Sequence, residues 1–259
     1  MTAPDLRPLL PEIVRLSFQA GEAVMRIYAG DFSVRTKADA SPVTEADEQS
    51  EAIILARLRE LTPDIAVASE EALSKTGMRD WQAPSTFWLV DPLDGTREFT
   101  SRNGEFSINI ALVTNRQPVL GVVHAPAAGV SWWAAGPGTA TMQRAGDAPV
   151  PIRARKPPAA GLVTLESRSH GDRAAVGAFL ADYKVAARRQ SGSALKFGLL
   201  AQGDADLYPR FGPTMEWDTA AGHAVLNAAG GHVETVAGGP LLYGKPTLRN
   251  PDFIARGAE

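Results

Sequence analysis

The sequence contains no cysteine and only four histidines in 259 residues. This composition excludes disulfide bonds and disfavours a zinc site, because thiolate and imidazole ligands are too few. The lack of thiols agrees with a reducing compartment, so a cytoplasmic location is expected. No apolar run approaches the roughly 20 residues that span a bilayer, and residues 1–5 lack the basic start of a signal peptide. We therefore expect no integral membrane segment, and peripheral association with the inner face of the cell membrane is left open.

A surplus of basic residues is also missing. The chain has 26 Lys and Arg against 29 Asp and Glu, a formal net charge of −3. Broad nucleic-acid affinity is therefore not expected, and positive groups must be concentrated at one site. Hydrophobic residues make up 44% of the sequence, enough for a large core. We predict a single domain, 1–259, with lobes of about 1–150 and about 160–259 joined by a segment rich in proline and glycine; the oligomeric state is left open.

The order of predicted elements indicates an α/β fold of the α+β kind. Hydrophobic periodicity predicts a long helix over 9–28 and a second helix from Thr44. Apolar runs at 106–113, 118–124 and 130–134, joined by short turns, predict an antiparallel meander. Beyond residue 161 strands and helices alternate, which predicts a second, partly parallel sheet. The chain is therefore expected to form an α/β sandwich.

Two carboxylates, Asp91 and Asp94, follow the apolar run 87–90, and a glycine and a threonine at 95–96 come directly after them. We predict a buried strand that stops at Pro92, followed by a helix whose first amides attract a phosphate. Carboxylates held about 4 Å apart repel by roughly 4 kcal/mol at an effective dielectric constant near 20, and a bound cation relieves that repulsion. Oxygen ligands favour Mg²⁺, Mn²⁺ or Ca²⁺.

More acids occur at predicted strand ends and helix starts. Glu70 and Glu71 follow a short apolar run, and Asp218 precedes a helical pattern that ends at a pair of glycines. Two of these acidic segments have a structural alternative. The Asp91 to Asp94 segment can be an ordinary turn, and Asp218 can be a helix N-cap. From these residues alone, a metal site and plain turn and cap chemistry both remain open.

Thr44 and Asp47 form an acidic version of a capping box at the start of the second helix. Such a cap presents its side chains at the mouth of the helix, so a structural role and a role in catalysis can coexist.

Four residues of the second half are candidates for binding a second phosphate. His170 follows a predicted strand, Ser193 starts a predicted helix with Lys196 one turn later, and Arg210 ends another strand. A helix N-terminus supplies amides and a hydroxyl, lysine adds a point charge, and arginine grips phosphate in a fork or stacks on a base. The alternatives are solvated cations at Lys196 and Arg210 and helix caps at His170 and Ser193.

Taken together, the motifs at 70–71, 88–96 and 217–222 resemble those of the inositol monophosphatase superfamily of Mg²⁺-dependent, lithium-sensitive phosphatases. The resemblance implies a layered α-β-α-β-α sandwich of the inositol monophosphatase and fructose-1,6-bisphosphatase type. It implies two or three Mg²⁺ ions held by Glu70, Asp91, the Leu93 carbonyl, Asp94 and Asp218. It further implies that Asp47 pairs with the Thr96 hydroxyl to orient and deprotonate the attacking water, with Glu70 as the alternative base. The loop with Lys37 and Asp39 would close over a further metal.

A closer resemblance, covering nearly the whole chain, is to bacterial 3'(2'),5'-bisphosphate nucleotidases. It rests on motifs at 91–99, 103–106, 167–170, 195–197 and 203–218. Members hydrolyse adenosine 3',5'-bisphosphate to AMP, which clears a by-product of sulfate assimilation. The substrate contacts that it implies are Leu93, Asp94, Gly95, Thr96, His170, Ser193, Lys196, Arg210 and Asp218.

The chain departs from many members at Ala194, where they carry serine, but it keeps the frame of Ser193 and Lys196. The sequence thus predicts a Mg²⁺-dependent bisphosphate nucleotidase whose small-molecule substrate is adenosine 3',5'-bisphosphate. The alternatives are an inositol monophosphatase or related sugar phosphatase, and a non-catalytic sensor of Mg²⁺ and nucleotide.

Overall fold

A computed structural model of the chain describes residues 7–37, 41–77, 81–169 and 171–259. A short 3-10 helix, Arg7–Leu9, precedes the first α-helix. The α-helices are α1 Leu10–Ala29, α2 Glu45–Leu61, α3 Glu70–Thr76, α4 Thr96–Thr100, α5 Arg173–Leu180, α6 Leu195–Ala201 and α7 Glu216–Ala228. The strands are β1 Val34–Thr36, β2 Pro42–Thr44, β3 Ala66–Ser69, β4 Thr86–Asp94, β5 Ser107–Thr114, β6 Gln117–Ala125, β7 Val130–Ala135, β8 Thr141–Arg144, β9 Val150–Pro151, β10 Leu162–Ser167, β11 Val185–Ser191, β12 Leu207–Arg210, β13 His232–Thr235 and β14 Phe253–Arg256.

The larger sheet has seven strands in the order β3-β4-β5-β6-β7-β8-β9. Strands β3 and β4 are parallel, and the remaining neighbours are antiparallel. Both faces are covered, so the interior strand β5 is buried along almost its whole length. Its residues Ile108 and Ile110 pack with α1 and α2, while Ala111 and Val113 pack with the layer of α6 and α7. This alternation places a separate core on each side of the sheet.

The smaller sheet has five strands in the order β11-β10-β12-β14-β13. Strand β10 is parallel to β11 and β12, whereas β14 is antiparallel to its two neighbours. Leu165 and Phe253 face α6 and α7, whereas Leu207 lies on the opposite face, which Val176 of α5 covers. The layers are therefore α-β-α-β-α, as the sequence predicted. No helix of the described residues has the length and apolar character to cross a membrane.

The predicted meander is confirmed by β5, β6 and β7, and the partly parallel second sheet by β10 to β12. The predicted division into two lobes at the segment after residue 144 remains a prediction, although β9 within that segment still pairs with the larger sheet. Trp132 is a packing residue, since it is 2% exposed and its ring lies against Gly198 of α6.

Three predicted boundaries were wrong. Strand β4 runs through Pro92 to Asp94, helix α6 begins at Leu195 rather than Ser193, and α7 begins two residues before Asp218. The N-cap alternatives for Ser193 and Asp218 are therefore also wrong. A single proline is tolerated in β4 because the pairing with β5 is irregular there, between Asp91 and Asp94.

Candidate active site

The irregularity in β4 brings two carboxylates to one side of the sheet. Asp91 pairs with Asn109 and Asp94 pairs with Ser107, so three steps along β4 match two steps along β5. Side chains three residues apart on a regular strand point to opposite faces. The extra residue of the bulge corrects this, and both Asp91 and Asp94 line the same cleft.

Two further acids arrive from neighbouring elements. The parallel register pairs Ser69 with Val90, so Glu70, which begins α3, lies beside Asp91. Asp218 is the third residue of α7 and accepts a hydrogen bond from the Met215 amide at 2.8 Å. Carboxylate oxygens of Asp91, Asp94 and Asp218 all lie within 4.8 Å of one another. The fold therefore gathers four acids that are far apart in the sequence.

The electrostatics of these acids fit a divalent cation. Burial raises the pKa of Asp91 and Asp218 well above the ordinary value, and repulsion from the neighbouring acids raises both further. Burial also raises the pKa of Asp94. A cluster of carboxylates that resists ionisation is the arrangement that a bound cation relieves, and hard oxygen donors suit Mg²⁺.

Lys37 pairs with the two acids at the start of α3. Its Nζ atom lies 2.7 Å from Glu70 Oε1 and 2.5 Å from Glu71 Oε1. Burial nevertheless raises the pKa of both carboxyls. Asp39, predicted to share this loop, lies outside the described residues.

Asp47 and Thr96 meet as the sequence predicted. The Thr96 hydroxyl lies 3.1 Å from Asp47 Oδ1 and 3.3 Å from the Leu93 carbonyl oxygen. Asp47 Oδ2 accepts hydrogen bonds from the Thr44 amide at 2.7 Å and the Thr44 hydroxyl at 2.8 Å, which confirms the capping box. Burial raises the pKa of Asp47 to about 6. The Asp47 carboxyl is thus held in place next to Thr96, and the Thr96 hydroxyl connects it to the cleft by a hydrogen bond.

The cleft has a volume of about 370 Å³. It is also lined by the basic side chains that were predicted to bind a second phosphate. Lys196 is 3% exposed, and its Nζ atom lies 3.1 Å from the Ser191 carbonyl and 2.5 Å from the Ser193 carbonyl. Arg210 is 5% exposed and donates to the Ser167 hydroxyl at 2.7 Å. The predicted residues among its lining are Glu70, Asp91, Leu93, Asp94, Gly95, Thr96, Ser193, Lys196, Arg210 and Asp218. His170 lies outside the described residues.

Sequence reasoning missed several polar residues that contact the site or its surroundings. Ser107 and Asn109 contact the predicted site through side-chain hydrogen bonds. Glu98 accepts from the Ser169 hydroxyl at 2.5 Å, and Glu105 accepts from the Gly192 amide at 2.8 Å. The bonds of Ser107, Glu98 and Glu105 reach the segments that follow β10 and β11 of the smaller sheet. For Ser107 and Asn109 the available signal was their alternate positions, as polar residues, in the otherwise apolar strand β5.

In one cleft of this five-layered sandwich, a cluster of carboxylates faces buried lysine and arginine side chains. This arrangement defines a metal-dependent phosphatase. The chain belongs to the inositol monophosphatase family, whose sequence pattern matches residues 5–257.

Characterised relatives are similar over nearly the full chain. The 3'(2'),5'-bisphosphate nucleotidase CysQ of Escherichia coli K12 is 46% identical over 250 residues, which is 95% of this chain and 98% of the relative. The crystal structure of CysQ from Bacteroides thetaiotaomicron has a TM-score of 0.79 at 36% identity, covering 95% of this chain and 96% of that one. An inositol monophosphatase from Anabaena has a TM-score of 0.76 at 25% identity, covering 98% and 92%.

Proposed function

We propose that the chain is a Mg²⁺-dependent 3'(2'),5'-bisphosphate nucleotidase that hydrolyses adenosine 3',5'-bisphosphate to AMP and phosphate, in connection with sulfate assimilation. The similarity to the CysQ relatives supports this substrate class. A cytoplasmic location and peripheral membrane association remain predictions. The small-molecule partner that we propose is the substrate adenosine 3',5'-bisphosphate.

The observation that carries the proposal is that buried basic side chains and clustered acidic side chains line one cleft. The Lys196 ammonium group is held by two carbonyls and lies 5.1 Å from the centre of the Tyr208 ring. These contacts orient the charge, which also interacts with the carboxylates of Asp94 and Glu105, and a phosphate placed beside it would gain a further favourable interaction. A phosphate that is not cleaved fits this position, with Arg210 as a second contact. A substrate with two phosphates uses both ends of the cleft, whereas inositol 1-phosphate uses one.

Residues of the acidic end fit Mg²⁺ by their chemistry. Glu70, Asp91, the Leu93 carbonyl, Asp94 and Asp218 would hold two or three ions, which when bound lower the pKa of an attacking water and neutralise charge on the leaving oxygen. Glu70 is already engaged by Lys37, which makes it the weaker candidate for the base.

Asp47 and Thr96 form a path for the proton of the attacking water. An ionised Asp47 accepts a hydrogen bond from the Thr96 hydroxyl, so the Thr96 oxygen is free to accept a hydrogen bond from water. A pKa of about 6 lets Asp47 be ionised near neutral pH and still take up a proton during the reaction. The capping bonds from Thr44 hold the carboxyl in that orientation.

The experiment compares phosphate release from adenosine 3',5'-bisphosphate, adenosine 3'-monophosphate and inositol 1-phosphate, with and without Mg²⁺. We expect the highest kcat/KM for the bisphosphate and no turnover in EDTA, with Asp94→Asn as the inactive control. Faster hydrolysis of inositol 1-phosphate would make the chain an inositol monophosphatase. Binding of the bisphosphate with no phosphate release would make it a sensor.

A further inference from the structure

Four side chains form a closed ring of close polar contacts beside the acidic cluster. Ser193 Oγ lies 2.6 Å from Asp94 Oδ2, and Asn109 Nδ2 lies 3.3 Å from the same oxygen. Ser107 Oγ lies 2.9 Å from Asn109 Oδ1 and 2.5 Å from Ser193 Oγ. Ser107 and Asn109 belong to β5 of the larger sheet, whereas Ser193 belongs to the segment between β11 and α6. The ring therefore joins the two sheets at Asp94.

The positions of the protons follow from the charge on Asp94. An ionised carboxylate only accepts hydrogen bonds, so Ser193 and Asn109 both donate to Oδ2. Ser107 has a single proton, and the 2.5 Å separation between its oxygen and that of Ser193 requires a proton between the two, so Ser107 donates to Ser193 and supports a residue that holds Asp94. Because both donors reach Oδ2, a cation can take Oδ1. The ring thus fixes which oxygen of Asp94 is presented.

The polar side chains of Ser107 and Asn109 are buried, so they do not contribute to solubility. Ser107 and Asn109 are both 0% exposed, on the same face of β5 as the apolar residues Ala111 and Val113. Buried polar groups are unfavourable unless they are hydrogen-bonded, and here their bonds end on Asp94 and Ser193. Ser193 has a φ of +50°, in the left-handed region that residues other than glycine rarely adopt. A strained backbone held by a hydrogen-bonded ring is typical of a functional site.

We propose that Ser107 and Asn109 are positioning residues for the metal ligand Asp94, with Ser107 acting through Ser193. This inference rests on the proposed metal site. Because Ser193 also lines the cleft beside Lys196, the ring connects the metal-binding end of the cleft to its cationic end.

The test measures Mn²⁺ binding by electron paramagnetic resonance, which requires no substrate. The proteins are full-length wild type, Ser107→Ala, Asn109→Ala, Ser193→Ala and the Ser107→Ala/Ser193→Ala double variant. We expect Ser107→Ala and Asn109→Ala each to weaken Mn²⁺ binding by about tenfold, because each loosens a charge-assisted bond to Asp94. In the Ser193→Ala background, Ser107→Ala should add less than about twofold, since its partner is already gone.

The matched control is Ser131→Ala. Ser131 is 3% exposed and hydrogen-bonded within the same sheet, to His124, but it does not line the cleft. It should lower the melting temperature without changing Mn²⁺ affinity. Unchanged Mn²⁺ affinity in Ser107→Ala and Asn109→Ala, or an undiminished effect of Ser107→Ala in the Ser193→Ala background, would overturn the proposal. Preference for inositol 1-phosphate would refute the nucleotidase function alone, because the Mn²⁺ titration does not depend on the substrate.

Discussion

Replacing Asp91 by asparagine is expected to stabilise the metal-free protein while removing its stabilisation by Mg²⁺. Oxygens of Asp91, Asp94 and Asp218 lie within 4.8 Å of one another. At that separation and an effective dielectric constant of about 20, two ionised carboxylates repel by about 3.5 kcal/mol. The raised pKa of Asp91 and of Asp218 favours protonation of the cluster, which lowers this repulsion, so the gain should be smaller, about 1–2 kcal/mol.

The assay is thermal unfolding in EDTA and in saturating Mg²⁺. A gain of that size corresponds to a rise in melting temperature of about 3–6 °C for a chain of this length. Asparagine keeps the oxygen that accepts the Leu93 amide at 3.1 Å, so the bulge should be preserved. Wild type should gain about 2.7 kcal/mol at a Mg²⁺ concentration of 100 times Kd, and Asp91→Asn should gain almost nothing. The exposed Asp64→Asn is the control and should respond to Mg²⁺ like wild type.

The pH dependence checks the sign of the argument. The pKa of Asp91 is higher in the folded than in the unfolded protein, so the protonated form is favoured by folding. Stability contributed in this way is present at low pH and is lost as pH rises above the unfolded pKa. In EDTA the advantage of Asp91→Asn over wild type should therefore grow from pH 5 to pH 8. The reasoning is refuted if Asp91→Asn melts at or below the wild-type temperature at pH 8 in EDTA, or if Mg²⁺ stabilises it as it does wild type.

The remaining predictions concern catalysis, substrate choice and acid stability. Thr96→Val should lower kcat by about 10²–10³ with unchanged stabilisation by Mg²⁺, because it breaks the path from water to Asp47; near-normal phosphate release would exclude that path. Lys196→Ala should raise KM for adenosine 3',5'-bisphosphate by about tenfold or more, and that for adenosine 3'-monophosphate less; equal losses would reject the assignment. Burial lowers the pKa of His124 to about 4, so its neutral form stabilises the fold above pH 6.5 and this stability is lost on acidification. Urea unfolding should show wild type losing about 2 kcal/mol more than His124→Gln between pH 6.5 and pH 4.5, and equal slopes would contradict the burial argument.

Local patterns were enough to predict the elements that frame the site. Helices α1 and α2 follow from apolar spacing and from the capping box at Thr44. Strands β5 to β7 follow from apolar runs separated by short turns. Adjacent strands of a meander pair locally, so their order is encoded within a short stretch of chain.

The bulge in β4 shows where local patterns fail. The sequence predicts that the strand ends at Pro92, because proline lacks the amide that the sheet pairing uses. The strand continues because β5 pairs with it on both sides of the irregularity, and because Ser50 of α2 donates to the Pro92 carbonyl at 2.7 Å. These contacts are tertiary and leave no mark in the run 87–94 itself.

The ring at Asp94 lies further beyond the reach of local patterns, for the same physical reason. Ser107 and Asn109 sit at alternating positions of a strand whose apolar residues predict burial, so the pattern alone presents them as polar interruptions of a core face. Ser193, the partner of Ser107, is predicted by its sequence context to start a helix, but it adopts φ +50° and lies before α6. A left-handed serine is unfavourable in an isolated peptide and is stable only when tertiary bonds hold it. If those bonds hold Asp94 as well, Ser193→Gly should keep the backbone conformation at no steric cost and still weaken Mn²⁺ binding as Ser193→Ala does, which would separate the role of the hydroxyl from that of the strained backbone.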